Sequence, residues 1–263
     1  MIQNRPRPLR EFDQIYMKAA DMVYQSEFVS RWADGANLAF VGDGDSISVC
    51  VAYLLQREIV TTGPASIVVY DFDERMVNAI TRFADSEHLE SLSARLYNCL
   101  DPLPRHEKFD LFYTNPPWGA SNAGASVNVF VERGFELIGF DGEGLVVIAD
   151  QHDEFPWTGE VLANVQAFAA AQGFYVRSLM ADLHEYHLDD NPELKSCNLF
   201  LRSRGDMAHD EESRAITDPE RLASFYGGGG NTPRVRYVRE RDIVAYGKAP
   251  AGEYEFDFWE EQG

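Results

Sequence analysis

The sequence predicts a Rossmann-like, doubly wound α/β fold with a mostly parallel sheet and an antiparallel C-terminal hairpin. Three observations carry that expectation. Short runs rich in Val, Ile and Phe alternate with segments of helical periodicity. The first of these runs ends in a glycine-rich turn that opens a helix. Two late strand-like runs then follow each other with no helix between them, the pattern of an antiparallel finish.

In order along the chain, Phe12, Ile15, Met17, Ala20, Met22, Val23, Phe28, Val29 and Trp32 recur at roughly helical intervals, so residues 11–34 are read as one or two amphipathic helices. Leu38–Val41 is a buried strand, Gly42–Ser46 a turn and Ile47–Leu55 an apolar helix. Ser66–Tyr70 forms a second strand ending in Asp71, and Glu74–Ser86 carries Met76, Val77, Ile80 and Phe83 on one helical face. Ser93–Cys99, Phe109–Tyr113 and Gly144–Ala149 supply three more strands, with a helix over Val127–Leu137. Val161–Ala171 is a helix stopped by Gly173, and Phe174–Leu179 and Cys197–Leu201 are the late strands. This divides the chain into a helical lead-in (1–35), a catalytic domain (36–205) and a C-terminal extension (206–263). The extension contains Gly227–Gly230, the arginines 234, 236, 239 and 241, and an acidic aromatic tail, Glu253–Glu261.

A chain of 263 residues, 45% hydrophobic, suffices for one well-buried domain. No apolar run is long enough to cross a bilayer, and Met1–Arg10 is polar, so a cytoplasmic protein without a membrane partner is expected. The three cysteines, Cys50, Cys99 and Cys197, lie in apolar segments without C-x-x-C spacing and are read as core. A net charge of −20 repels a phosphate backbone and attracts cations, so no nucleic-acid partner is expected and a small polycation is favoured. The sequence admits a homodimer without specifying one.

The turn after the first strand normally holds the cofactor in such folds. Here Gly42, Asp43, Gly44, Asp45 and Ser46 lack the full G-x-G-x-x-G spacing and set two carboxylates where a pyrophosphate needs bare amides, which argues against NAD or FAD. Asp71, at the end of the second strand with Phe72 beside it, stands where an acid accepts hydrogen bonds from ribose hydroxyls. Asp73 is read as the N-cap of the next helix. Together these point to a nucleoside without phosphates. Of the two sulfonium nucleosides, S-adenosylmethionine carries a carboxylate next to its amine, whereas its decarboxylated form carries only an ammonium, so Asp43 and Asp45 favour the decarboxylated donor.

Thr114-Asn115-Pro116-Pro117-Trp118-Gly119 follows the fourth strand. Two consecutive prolines stiffen an extended turn that offers Asn115 and nearby carbonyls to an amine, while Trp118 faces a cationic or planar substrate. A nucleophilic amine must shed a proton, and Asp43, Asp45, Asp150 and Glu185 are candidates to take it, with Asp150 and Glu185 also placed to bind substrate ammonium groups. His184 and His187 flank Glu185, but this spacing makes no metal site and none is expected.

Phe12-Asp13-Gln14, Val41 to Ser46, Tyr70 to Arg75, Asp101-Pro102-Leu103-Pro104 and Phe109-Asp110 through Asn115-Pro116-Pro117 together resemble the branched-chain polyamine synthases, the N4-bis(aminopropyl)spermidine synthases, over residues 12 to 150. The resemblance implies a class I methyltransferase-type fold and aminopropyl transfer from decarboxylated S-adenosylmethionine to an amine of a spermidine-like polyamine. It implies that Gly42, Asp43 and Asp45 hold the donor, Asp71 its ribose, and Asn98 or Asp101 its adenine edge. Asn115 stands where the family has an aspartate before Pro-Pro, and about thirty-five residues precede the first strand in place of the winged-helix domain implied for archaeal members. N-P-P-W is also the signature of amino-group methyltransferases. An S-adenosylmethionine-dependent N-methyltransferase and a catalytically silent nucleoside-binding scaffold therefore stay open as alternatives.

Overall fold

A computed structural model describes residues 1–189, 191–209, 212–223, 225, 234–241 and 254–259. Gly227–Gly230, together with Glu253, Glu260 and Glu261 of the tail, lie outside the described residues.

The chain builds a seven-stranded sheet from β1 (Asn37–Val41), β2 (Ser66–Asp71), β3 (Leu92–Leu96), β4 (Leu111–Thr114), β5 (Glu143–Ala149), β6 (Phe174–Glu185) and β7 (Lys195–Ser203). Their spatial order is β3-β2-β1-β4-β5-β7-β6. β1 pairs in parallel with β2 and β4, and β7 runs antiparallel between β5 and β6. The order of winding reverses between β1 and β4, which leaves a crevice at the carboxyl ends of those strands. Among the described residues there are six α-helices: α1 (Ala19–Trp32), α2 (Ile47–Gln56), α3 (Glu74–Glu87), α4 (Ala125–Leu137), α5 (Pro156–Ala171) and the short α6 (Pro219–Leu222), which packs on α4.

Strand alternation sorts the core into two layers. Leu38 and Phe40 of β1, with Leu145 and Val147 of β5, face α1, α2 and α3, while Ala39, Val41, Val146 and Ile148 face α4 and α5. Cys50, Cys99 and Cys197 are all buried thiols. Among the described residues no helix is long and apolar enough to cross a membrane.

The lead-in departs from the helical expectation. Arg10–Phe12 is a single 3₁₀ turn, and Tyr16–Lys18 runs extended along the end of β6 before α1 begins. Backbone bonds from His187 N–H to Tyr16 O (2.9 Å) and from Lys18 N–H to Glu185 O (2.8 Å) fix that pairing. Apolar residues at 12, 15 and 17 satisfy a helical and an extended period equally, and tertiary pairing decides between them. The third strand stops at Leu96, short of Cys99, and residues 98–101 form a turn closed by Asp101 N–H to Asn98 O (2.9 Å). β6 reaches Glu185 rather than Leu179, through irregularities at Val176/Ser178 and Met180/His184. Beyond the main sheet, β8 (Val235–Glu240) and β9 (Tyr254–Phe258) form an antiparallel ribbon docked on the β2 end by a bond from Val238 N–H to Phe72 O (3.2 Å).

Candidate functional site

At the crevice lies a cavity of about 480 Å³, within the range of small-molecule sites. Gly42, Gly44 and Asp45 form its floor, Asp71 and Phe72 one end, and Asn115, Pro116, Pro117 and Trp118 the other. Gly42 holds a left-handed backbone (φ +74°) while its N–H reaches Tyr70 O at 2.8 Å, a conformation that favours glycine.

The two acids of the turn take opposite directions. Asp43 does not line the cavity. Its carboxylate accepts from Ile47 N–H (2.8 Å), Ser48 N–H (3.1 Å) and Ser48 Oγ–H (2.5 Å), which makes it the cap of α2. Ser46, in a left-handed conformation at the helix entry, makes no side-chain cap bond, so Asp43 supplies what Ser46 does not. Placing Asp43 on the donor is therefore corrected: the orphan N–H groups at the start of α2 claim it. Ser46 is likewise buried off the cavity wall, its hydroxyl beside Met76 Sδ.

Asp45 does face the cavity. Its Oδ1 accepts from Met17 N–H (2.6 Å) and its Oδ2 from the Asn115 amide (2.6 Å), leaving a lone pair on each oxygen. Burial pushes its carboxyl up from the usual carboxylate range, against the opposing pull of those two donors and of Arg5 and His187. Arg5, itself buried, donates to Asp45 O (3.2 Å) and stacks over Tyr16.

Asp71 accepts from Asp43 N–H (3.1 Å) and Asp73 N–H (2.9 Å) and is pushed up to about 7, first by burial and then by the charge of Asp73. Asp73 caps α3 through Arg75 N–H and pairs with the Arg75 guanidinium at 2.6 Å. Tyr70, Tyr97 and Cys99 wall this end with Phe72, whose ring meets Phe12 edge-on at 5.3 Å. Asn98 and Asp101, expected at an adenine edge, turn the other way. Asn98 donates to Arg236 O (2.7 Å) and accepts from Leu100 N–H, while Asp101 pairs with Arg236 and Tyr237. The β8–β9 ribbon thus occupies both side chains, and the cavity takes their neighbours Tyr97 and Cys99 instead.

At the far end the Asn115 oxygen accepts from Trp118 Nε1–H (3.3 Å), and its amide also approaches Tyr186 Oη at 3.4 Å. Trp118 and Tyr186 meet edge to face at 4.8 Å between ring centres. Asp150 and Glu185 are both off the cavity wall. Asp150 sits on the loop after β5, its carboxyl raised by burial and by Asp182. Glu185 forms an exposed ion pair with Lys18 at 2.5 Å. Of the four acids considered as proton acceptors, Asp45 alone lines the cavity. Among the described residues no cluster of His, Cys, Asp and Glu has metal-binding geometry.

Sequence reading missed Gln14, Tyr16, Tyr186 and Trp157, which also line the cavity. Tyr186 lies next to the singled-out Glu185, and strand alternation there was the available signal: with Glu185 exposed, Tyr186 points inward.

The chain matches the family described as the branched-chain polyamine synthase A C-terminal domain over residues 1–208. It is 29% identical over 138 residues to the N(4)-bis(aminopropyl)spermidine synthase of Thermococcus kodakarensis, covering 52% of this chain and 37% of that protein. It is 24% identical over 188 residues to an uncharacterised protein of Methanocaldococcus jannaschii, covering 70% of this chain and 44% of the relative. The chain thus spans less than half the length of these curated relatives. The crystal structure of the branched-chain polyamine synthase from Thermus thermophilus, in complex with N4-aminopropylspermidine and 5'-methylthioadenosine, superposes with a TM-score of 0.64 at 23% identity, over 81% of this chain and 64% of that one. That likeness shows that the two chains share one Rossmann-like α/β fold. With the family model covering most of its 263 residues, the chain belongs to the branched-chain polyamine synthase family.

Proposed function

We propose that this protein transfers an aminopropyl group from decarboxylated S-adenosylmethionine to an amine of a spermidine-like polyamine. Asp45 carries the reading: a buried carboxylate on the cavity wall, in the first turn of the sheet, with lone pairs left toward the cavity. At about 4 Å and an effective dielectric near 20, a ligand carboxylate would be repelled by on the order of 4 kcal/mol and an ammonium attracted by as much. Family membership supports the same chemistry, as does the similarity to the N(4)-bis(aminopropyl)spermidine synthase of Thermococcus kodakarensis.

In this reading Asp71 accepts from the ribose hydroxyls, Phe72 and Tyr97 flank the nucleoside, and Asp45 holds the donor's ammonium. The acceptor nitrogen, neutral and positioned near Asn115 and Trp118, attacks the propyl carbon beside the sulfonium. The C–S bond breaks, its electrons stay on sulfur, methylthioadenosine leaves, and the new ammonium releases one proton. The acidic surface favours encounter with polycations.

Asn115 ahead of Pro116-Pro117-Trp118 favours a second reading, N-methylation by S-adenosylmethionine. Incubation of the full chain with each donor and a panel of polyamines separates the two. Methylthioadenosine with a product 57 Da heavier per added group, the mass of C₃H₇N, supports aminopropyl transfer. Adenosylhomocysteine supports methylation, and neither by-product leaves the silent scaffold.

A further inference from the structure

Behind the acceptor end of the cavity runs a buried chain of polar side chains. Tyr186 Oη lies 2.9 Å from Ser196 Oγ, Ser196 Oγ lies 2.9 Å from His184 Nδ1, and His184 Nε2 lies 2.9 Å from Gln25 Oε1. Gln25 and Asn198 close the chain as a reciprocal amide pair, Gln25 Nε2–H to Asn198 Oδ1 (2.9 Å) and Asn198 Nδ2–H to Gln25 Oε1 (3.0 Å). Every member is buried, with Ser196 and Asn198 fully so.

The chain has a direction. Gln25 Oε1 is a carbonyl oxygen and only accepts, so His184 carries its proton on Nε2. Burial pushes His184 down to about 4, so the ring is neutral near pH 7 and its Nδ1 is an acceptor. Ser196 has a single hydroxyl proton, and Nδ1 takes it. The Ser196 oxygen is then left to accept from Tyr186, whose phenol burial holds well above its ordinary range and therefore protonated. Tyr186 spends its only proton inward and turns its lone pairs to Asn115 and the cavity.

We propose that Tyr186 positions the acceptor amine by accepting one of its N–H groups, and that His184, acting through Ser196, keeps the Tyr186 oxygen an acceptor. The inference rests on the polyamine reading above. It makes Tyr186 a substrate contact and His184, Ser196 and Gln25 positioning residues. An uncommitted tyrosine would donate to any acceptor in the cavity and so admit neutral or anionic ligands. Locked this way, it joins Asp45 in presenting only acceptors to an N–H-rich cation, and strengthening in a low-dielectric site adds to the selectivity.

Two measurements on the full chain test this. Long-range nitrogen–proton NMR of the histidine-labelled protein, with His184 assigned by its loss in His184→Asn, should show a neutral ring protonated at Nε2. A ring protonated at Nδ1 would reverse every bond in the chain, point the Tyr186 hydroxyl into the cavity and overturn the proposal. Ser196→Ala should weaken spermidine binding about tenfold while methylthioadenosine binding changes less than about twofold, and Ser196→Thr should restore the spermidine affinity. Unaltered spermidine binding in Ser196→Ala overturns the positioning role. If the wild-type ring is protonated at Nε2 but the protein does not bind spermidine, the polyamine reading and the amine contact fail together, while the direction of the chain stands.

Discussion

The two ends of the cavity solve the problem of buried polarity differently. At the Asp71 end, carboxylates answer backbone N–H groups: Asp71 takes those of Asp43 and Asp73, and Asp43 takes those of Ile47 and Ser48. At the Tyr186 end, neutral side chains answer one another, from Asn115 through Tyr186 to Gln25 and Asn198. The first end ties its charges to the chain that carries them and keeps a rigid cradle. The second orients dipoles beside Asp45 without adding charge to the cavity wall. Position in sequence does not decide which acid serves which purpose. Asp43 and Asp45 are separated only by Gly44, yet one caps a helix and the other faces the cavity.

That contrast can be broken most severely at Asp45. Asp45→Asn removes the charge but keeps an oxygen for Met17 N–H, and kcat/KM for aminopropyl transfer should fall about 10²–10³-fold, with most of the loss in donor affinity. A fall smaller than about fivefold would place the ammonium elsewhere. Asp43→Ala should show the opposite profile. It strips three bonds from the α2 entry and should cost about 2 kcal/mol of stability, read from the denaturant midpoint, with donor selectivity unaltered.

A smaller effect should appear in pH dependence. Asp71 is pushed up to about 7, and ribose hydroxyls prefer its ionised form. Its charge is absent below that value and present above it, so methylthioadenosine should bind up to about tenfold more tightly at pH 8 than at pH 6 and level off beyond. Binding that is flat over this range would remove Asp71 from the ribose. The smallest effect belongs to Glu185→Gln, which opens a solvent-exposed pair with Lys18 and should leave the denaturant midpoint unmoved and change kcat/KM by less than about twofold.

Much of this architecture was legible in the residues. β1, α2, β2, α3, α4 and β5 fall within a residue or two of their expected bounds, because each has one dominant period and a clear breaker. Gly42, Gly44, Asp45, Asp71, Phe72, Asn115 and Trp118 gather at one cavity because strand ends on one edge of a parallel sheet must. What sequence does not encode locally is the direction of a side chain in a loop. Asn98 and Asp101 are drawn away by β8, more than 130 residues later, and no pattern near them signals that partner. The same limit explains Tyr16–Lys18, whose extended course depends on the distant end of β6. Asp150 carries its charge at the end of β5 and Glu185 lies beyond the late strand expected at Phe174–Leu179, and the loop after β5 and the outward face of β6 set both off the cavity.

The first turn should select a cation over a carboxylate. Calorimetric titration of the full chain with decarboxylated and ordinary S-adenosylmethionine, repeated on Asp45→Asn, tests it directly. The decarboxylated donor should bind at least tenfold more tightly to the wild-type protein, and the substitution should erase most of that margin. Equal or tighter binding of ordinary S-adenosylmethionine by the wild-type chain would contradict it.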